Sequence, residues 1–206
     1  MPTTPKIEQC ERVLVVEGPS DLWFYLEVLK FLGKADGVFI QHFNGRQALA
    51  TKLETFLTPV LLTSKKSIGF IIDANGNAAG ATQQLTDLLQ RTAAQTVTAG
   101  QWTVGSPKLG FFIAPDGVSG GEIETLVWKA WAAEPKHAKM RKCIEDFRDC
   151  MKASDEKIKS SDKGLVSSLL AILHEDDPRL GPGAREGKFD FTRPEYGPLK
   201  TFLSGI

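Results

Sequence analysis

Apolar residues recur along this chain in two rhythms. Val13-Leu14-Val15-Val16 is an unbroken apolar run that ends in Glu17. Runs of this kind are buried on both faces of a parallel sheet. After Gly18-Pro19-Ser20, with Ser20 as the expected N-cap, Leu22, Phe24, Tyr25, Leu26, Val28, Leu29 and Phe31 follow a helical spacing that Gly33 closes. The same sequence of events repeats. A strand is predicted over 38–43, a turn at Asn44-Gly45 and a helix over about 46–58, with 59–66 as a connection. A third strand over 67–73 leads through the turn residues Asn75-Gly76-Asn77 into a helix over about 79–92. Gln101-Trp102-Thr103-Val104 reads as a short antiparallel addition, and 108–114 as the fourth core strand. A glycine-rich loop, 115–121, precedes helices over about 122–133, 138–153 and 163–175. Glycine and proline then dominate 181–187, and a short helix is expected over 197–204. Strand–helix alternation repeated in this way predicts an α/β fold: a mainly parallel, four-stranded, Rossmann-like sheet flanked by helices. Residues 10–134 would form that core and 135–206 a helical extension packing on it.

Composition narrows the picture only a little. At 206 residues the chain can bury a sizeable core. Twenty-five basic and 25 acidic residues cancel, so no global positive field advertises nucleic acid, although a local basic groove remains compatible. Cys10, Cys143 and Cys150 lack CxxC spacing and suggest reduced thiols. His42, His137 and His174 are scattered, which argues against zinc. The first residues lack the apolar centre of a signal peptide, and no apolar run approaches the ~20 residues that span a bilayer. The expectation is a cytoplasmic protein without a membrane partner; the oligomeric state is not legible.

The chemistry lies where the strands end. A carboxylate at the carboxyl end of a buried strand is costly unless it has work to do, and open α/β sheets bind their ligands at that edge. Glu17 and Asp73 each end an apolar strand, and Asp116 follows the fourth, with Glu122 and Glu124 close behind. Acids gathered on one sheet edge read as a divalent-cation site, because magnesium and manganese take hard oxygen ligands. If the first and third strands are neighbours, Glu17 and Asp73 face one another. Asp21 then lies about one helical turn from Glu17 on the same side. Glu122 and Glu124 diverge by about 200° on a helix but can both face the site from an extended segment, and spacing alone does not choose.

Glu17-Gly18-Pro19-Ser20-Asp21, the Asn44-Gly45 turn, Asp73-Ala74-Asn75 and Ile123-Glu124-Thr125-Leu126, in that order after successive strands, resemble the TOPRIM domain of topoisomerases, bacterial primases and OLD-family nucleases. The second acid at Asp21 is most similar to the OLD branch. Ser161-Asp162-Lys163-Gly164-Leu165-Val166 is similar to the segment carrying a functional lysine in those nucleases, and 183–191 is similar to small stand-alone TOPRIM-like proteins. The resemblance covers 12–126, and the tail through these segments. It implies metal-dependent phosphodiester chemistry on DNA or RNA with Mg²⁺ or Mn²⁺. Glu17 would act as ligand or general acid/base, Asp73 as the first acid of the DxD motif, and Asp21 and Glu124 as further metal ligands. Lys163 would steady negative charge on phosphate oxygens. The second DxD position is Asn75, which can ligate through its carbonyl oxygen but carries no charge.

Ordinary roles compete at each position. Glu17 would cap the next helix or pair with Arg46, Asp73 and Asp116 would shape turns, and Asp21 would complement a helix dipole. Asn44 and Gly45 would hold a turn, Trp128 and Trp131 would pack, and Lys163 would be a surface lysine. The basic residues between Lys136 and Lys159 alternate with acids and read as a solvated face. The alternative to a nuclease is a non-catalytic TOPRIM-like binding or regulatory module. In either case an ATPase would be a separate partner, since no GxxxxGK[ST] is present. A flavodoxin-like nucleotide binder fits less well, because the 18–21 turn lacks GxGxxG and acids repel phosphate without a metal.

Overall fold

In the computed structural model, which describes residues 6–154, 160–173 and 177–206 and within them leaves out the side chains of Arg46 and Ala50, four of the apolar runs form one parallel sheet. The strands are β1 (Arg12–Val16), β2 (Val38–His42), β3 (Ser67–Asp73) and β4 (Lys108–Ala114), in the order β2-β1-β3-β4. β1 therefore lies between β2 and β3, with Val15 opposite both Gln41 and Phe70. Because every neighbour is parallel, all the strands end at the same edge. Alternate residues of each strand supply two cores. Val13, Val15, Phe70 and Ile72 pack under α2 (Arg46–Phe56) and α4 (Ala78–Ala93). Leu14, Val16, Ile71 and Phe112 pack under α1 (Pro19–Phe31) and α5 (Ile123–Ala132). The α/β sandwich with a parallel four-stranded sheet is thus the fold predicted from the rhythm of the chain.

The second core continues into the C-terminal third. Leu165, Leu169 and Leu170 of α7 (Ser161–Leu173), Leu180 and Ala184 of α8 (Leu180–Arg185), and Leu199, Phe202 and Leu203 of α9 (Gly197–Ser204) join the same cluster. α6 (Ala138–Lys152) buries only Ile144, so its charges do form a solvated face; Lys157 and Lys159 lie outside the described residues. Cys10 is buried, Cys143 and Cys150 are exposed, and all three are unpaired. Among the described residues no helix is long and apolar enough to cross a membrane.

Four local expectations are corrected. The N-cap of α1 is Gly18, not Ser20: Pro19 takes the first helical position, where its missing N–H costs nothing. Ser20 instead accepts a hydrogen bond from the Gly181 N–H at 3.0 Å. The connection over 59–66 contains a short helix, α3 (Pro59–Ser64), because Thr58 accepts the Leu61 N–H and Pro59 follows it. The 181–187 stretch, for which glycine and proline predicted no element, is largely helical. Two of its glycines are there for closeness, since a Cβ on Gly181 would lie 2.8 Å from the Ser20 carbonyl oxygen and one on Gly183 would lie 2.7 Å from Leu170.

The fourth correction concerns Gln101–Val104. Only a single antiparallel bridge forms there, Trp102 opposite Gly110. The indole of Trp102 occupies the space that side chains would take at Gly69, Gly110 and Gly205, where a Cβ would come within 2.8 Å of it. It stacks on Phe202 at 4.9 Å and donates from Nε1 to the Phe202 carbonyl at 2.8 Å. Trp102 is therefore a wedge between the sheet and α9 rather than a strand residue.

Candidate functional site

β1 and β3 deliver two carboxylates to the carboxyl edge of the sheet. Glu17, one residue past β1, accepts the Asp73 N–H through Oε1 at 3.0 Å. Asp73, the last residue of β3, accepts the Ile123 N–H at the start of α5 at 2.9 Å. Each carboxylate thus ties one strand end to the next element. Asp21, in the first turn of α1, accepts the Gly18 N–H at 2.8 Å. Glu124, in the first turn of α5, is only 5% exposed, and its Oε2 is buried without a hydrogen-bond partner. Glu122 is extended and precedes the helix, so both glutamates turn toward Lys163 in the first turn of α7. The Lys163 Nζ lies 3.4 Å from Glu122 Oε2 and 3.4 Å from Glu124 Oε1. Ser160 donates to Glu122 and Thr125 donates to Asp162, which fastens α7 to α5.

The structure therefore brings together Glu17, Asp21, Asp73, Glu124 and Lys163 and adds Glu122. Asn75 stands apart. It is exposed, sits at φ 52°, and exchanges two backbone hydrogen bonds with Gly121 across a tight bridge. Asparagine tolerates this left-handed conformation better than most residues, which accounts for it there without any ligand. Asp116 turns back into its own loop, accepting the Val118 and Ser119 N–H groups, and shapes that loop. The Glu17–Arg46 pairing weighed from sequence falls on a side chain outside those described.

Burial, with crowding second to it, raises the acids' pKa values. Asp73 is pushed well above the ordinary aspartate value by burial and then by the charges of Asp21, Glu17 and Glu124, against a smaller pull from Lys163. Burial also raises Asp21, despite its hydrogen bond from Gly18, and raises Glu124, despite Lys163. Burial draws Lys163 down, but Glu124, Glu122 and Asp73 outweigh it and its pKa is raised. Lys163→Met should therefore cost stability, about 0.5–1 kcal/mol for a half-exposed pair. Thermal melts should show a larger loss at pH 7 than at pH 4, where the carboxylates gain protons.

Two residues of this neighbourhood carried no sequence signal. Tyr25 is almost fully buried, and its pKa is raised well above normal by burial and by the charges of Asp73, Asp21, Glu124 and Glu17. It read as one more apolar position of α1. His42 ends β2 at the same edge, its Nδ1 is buried without a partner, and its charge pulls the Asp21 pKa down. A lone histidine in a strand gave no metal-ligand spacing; only the strand order places it here.

The donor chemistry fits a hard divalent cation. The donors are carboxylate oxygens, one is orphaned and buried, and their mutual repulsion is offset by one lysine. As they stand, no three His, Cys, Asp or Glu side chains among the described residues are gathered tightly enough to hold an ion. Backbone N–H groups and Lys163 hold them instead, so coordination would require these side chains to draw inward.

One family model, DUF3226, described as a protein of unknown function, matches residues 11–206. No curated protein and no solved structure matches the chain.

Proposed function

The chain belongs to the DUF3226 family, whose function is unknown, and from the site together with the resemblance of its strand-end motifs we propose metal-dependent phosphodiester chemistry on nucleic acid, in the manner of an OLD-like TOPRIM nuclease. The observation that carries the reading is the carboxylate cluster at the β1/β3 strand ends with the buried, unpartnered Oε2 of Glu124 at its heart. Mg²⁺ or Mn²⁺ bound there would neutralise phosphate oxygens and lower the pKa of a bound water. Asp73, Asp21 and Glu124 would supply oxygen ligands. Glu17 positions Asp73 through its backbone N–H and serves as ligand or base. Lys163 meets the negative charge that builds on phosphate. DNA or RNA is the substrate class, any ATPase is a separate partner, and the setting is the cytoplasm.

A second reading has its own support. Lys163 already stands between Glu122 and Glu124, and Asn75 adds no charge. Both features suit a non-catalytic binding module in which the lysine is the resident cation.

Calorimetric titration of Mg²⁺ and Mn²⁺ into wild type and Asp73→Ala, with plasmid cleavage assayed on the same samples, separates the two. A nuclease binds metal and cuts as wild type and loses both in the variant. Absence of metal binding favours the module. Cleavage that survives Asp73→Ala and Glu17→Gln unchanged sinks the catalytic assignment.

A further inference from the structure

At the opposite end of α5 from the acids lies a cavity of about 480 Å³, within the size range of small-molecule sites. Ala130 and Trp131 of α5 form one part of its lining, and His137, Lys188, Phe189, Arg193 and Tyr196 form much of the rest. Its aromatic surface is held rigidly. Trp131 and His137 stack at 4.1 Å with planes 10° apart, and the imidazole Nδ1 is fixed on the Trp131 carbonyl at 2.8 Å.

The polar lining is unevenly satisfied. The acids are occupied: Glu134 pairs with Lys136 at 2.7 Å, and Asp190 accepts both the N–H and the hydroxyl of Thr192. The donors are not. Arg193 reaches Glu195 through one Nη at 3.3 Å, while its Nε is buried with no acceptor. The Lys188 ammonium makes no ion pair among the described residues. Beyond its one bond to Glu195 the guanidinium keeps further Nη donors, and an oxyanion is their best-matched acceptor. The Oε2 of Glu195 is also buried and unpaired, but Glu195 does not line the cavity and backs the guanidinium instead.

We propose that this cavity binds a small organic anion of nucleotide type, its flat ring against the Trp131–His137 pair and its phosphate between Arg193 and Lys188. The site is separate from the acid cluster and does not depend on the function proposed for it. AMP serves as the probe, titrated calorimetrically into the full chain with EDTA present so that no divalent cation can bridge it to the acids. AMP should bind saturably and more tightly than inorganic phosphate or adenosine. Arg193→Met and Lys188→Ala should each weaken it about tenfold or more, the size expected for a charge-assisted contact. Asp73→Ala should leave it unchanged. Lys188→Ala keeps the test sound if Arg193→Met disturbs the Glu195 pairing and the fold. No saturation at millimolar AMP, equal affinity in wild type and both variants, or phosphate binding as tight as AMP would overturn the assignment.

Discussion

Trp102→Ala is expected to lower the unfolding free energy by about 3 kcal/mol, the lower end of the range for truncating a large aromatic, because the indole is partly buried. At this chain length the loss corresponds to a Tm drop on the order of 10 °C. The reason is the shape of the surroundings. The indole fills the space over Gly69 of β3 and Gly110 of β4 and against Gly205, and none of these has a side chain that can swing in. The truncated residue would leave a void with backbone walls, which relaxes poorly. The hydrogen bond to the Phe202 carbonyl and the stack on Phe202 are lost in the same step. Since Phe202, Leu199 and Leu203 anchor α9 in the core, the variant should also loosen that helix. Thermal and denaturant melts check the magnitude, and a loss below about 1 kcal/mol would mean that Trp102 is ornament on the sheet rather than a wedge in it.

Asp73→Asn should do the reverse in metal-free protein at neutral pH. Unfolded, Asp73 titrates in the ordinary aspartate range; folded, its pKa lies well above. The native state therefore holds that proton more tightly. The stability this contributes is complete below the ordinary value and is lost as pH rises through the raised one. At pH 7 the native protein bears the cost of burying that charge among like charges, or of taking up the proton that relieves it. Asparagine keeps the acceptor that Ile123 N–H needs and removes the charge. Like charges held together cost up to several kcal/mol, and a gain of about 1–2 kcal/mol, a few degrees in Tm, is expected at pH 7. The two proteins should converge near pH 4. Added Mn²⁺ should then raise the Tm of wild type by mass action and do little for the variant. A variant less stable than wild type at both pH values would refute the crowding argument.

These two residues differ in how they could be read. Asp73 was legible because a buried strand that ends in an acid violates the apolar pattern, and a violation is information. Glu17 and the strands themselves were legible for the same reason, whereas the neighbourhood of β1 and β3 entered only as a condition, which the strand order meets. Trp102 was not legible, because its partners are glycines up to about 100 residues away, and a glycine does not say whether it serves a turn or a close approach. The same ambiguity hid α8: glycine and proline dominate its sequence, and Gly181 and Gly183 are packing surfaces against α1 and α7. His42 and Tyr25 were hidden for another reason. Each fits its own element unremarkably, and only the order of strands and the face of α1 bring them to the acids.

The two hydrogen bonds that hold the strand ends have a spectroscopic consequence. The amide protons of Asp73 and Ile123 are retained by the carboxylates of Glu17 and Asp73, not by the β-ladder or a helical carbonyl. Most protected amides in a sheet exchange with deuterium only when the sheet opens. These two are released whenever the carboxylates turn toward another partner, with the strands still paired. Their exchange rates measure the occupancy of the sheet edge directly, residue by residue, while the amides of β1 beside them keep time with the fold.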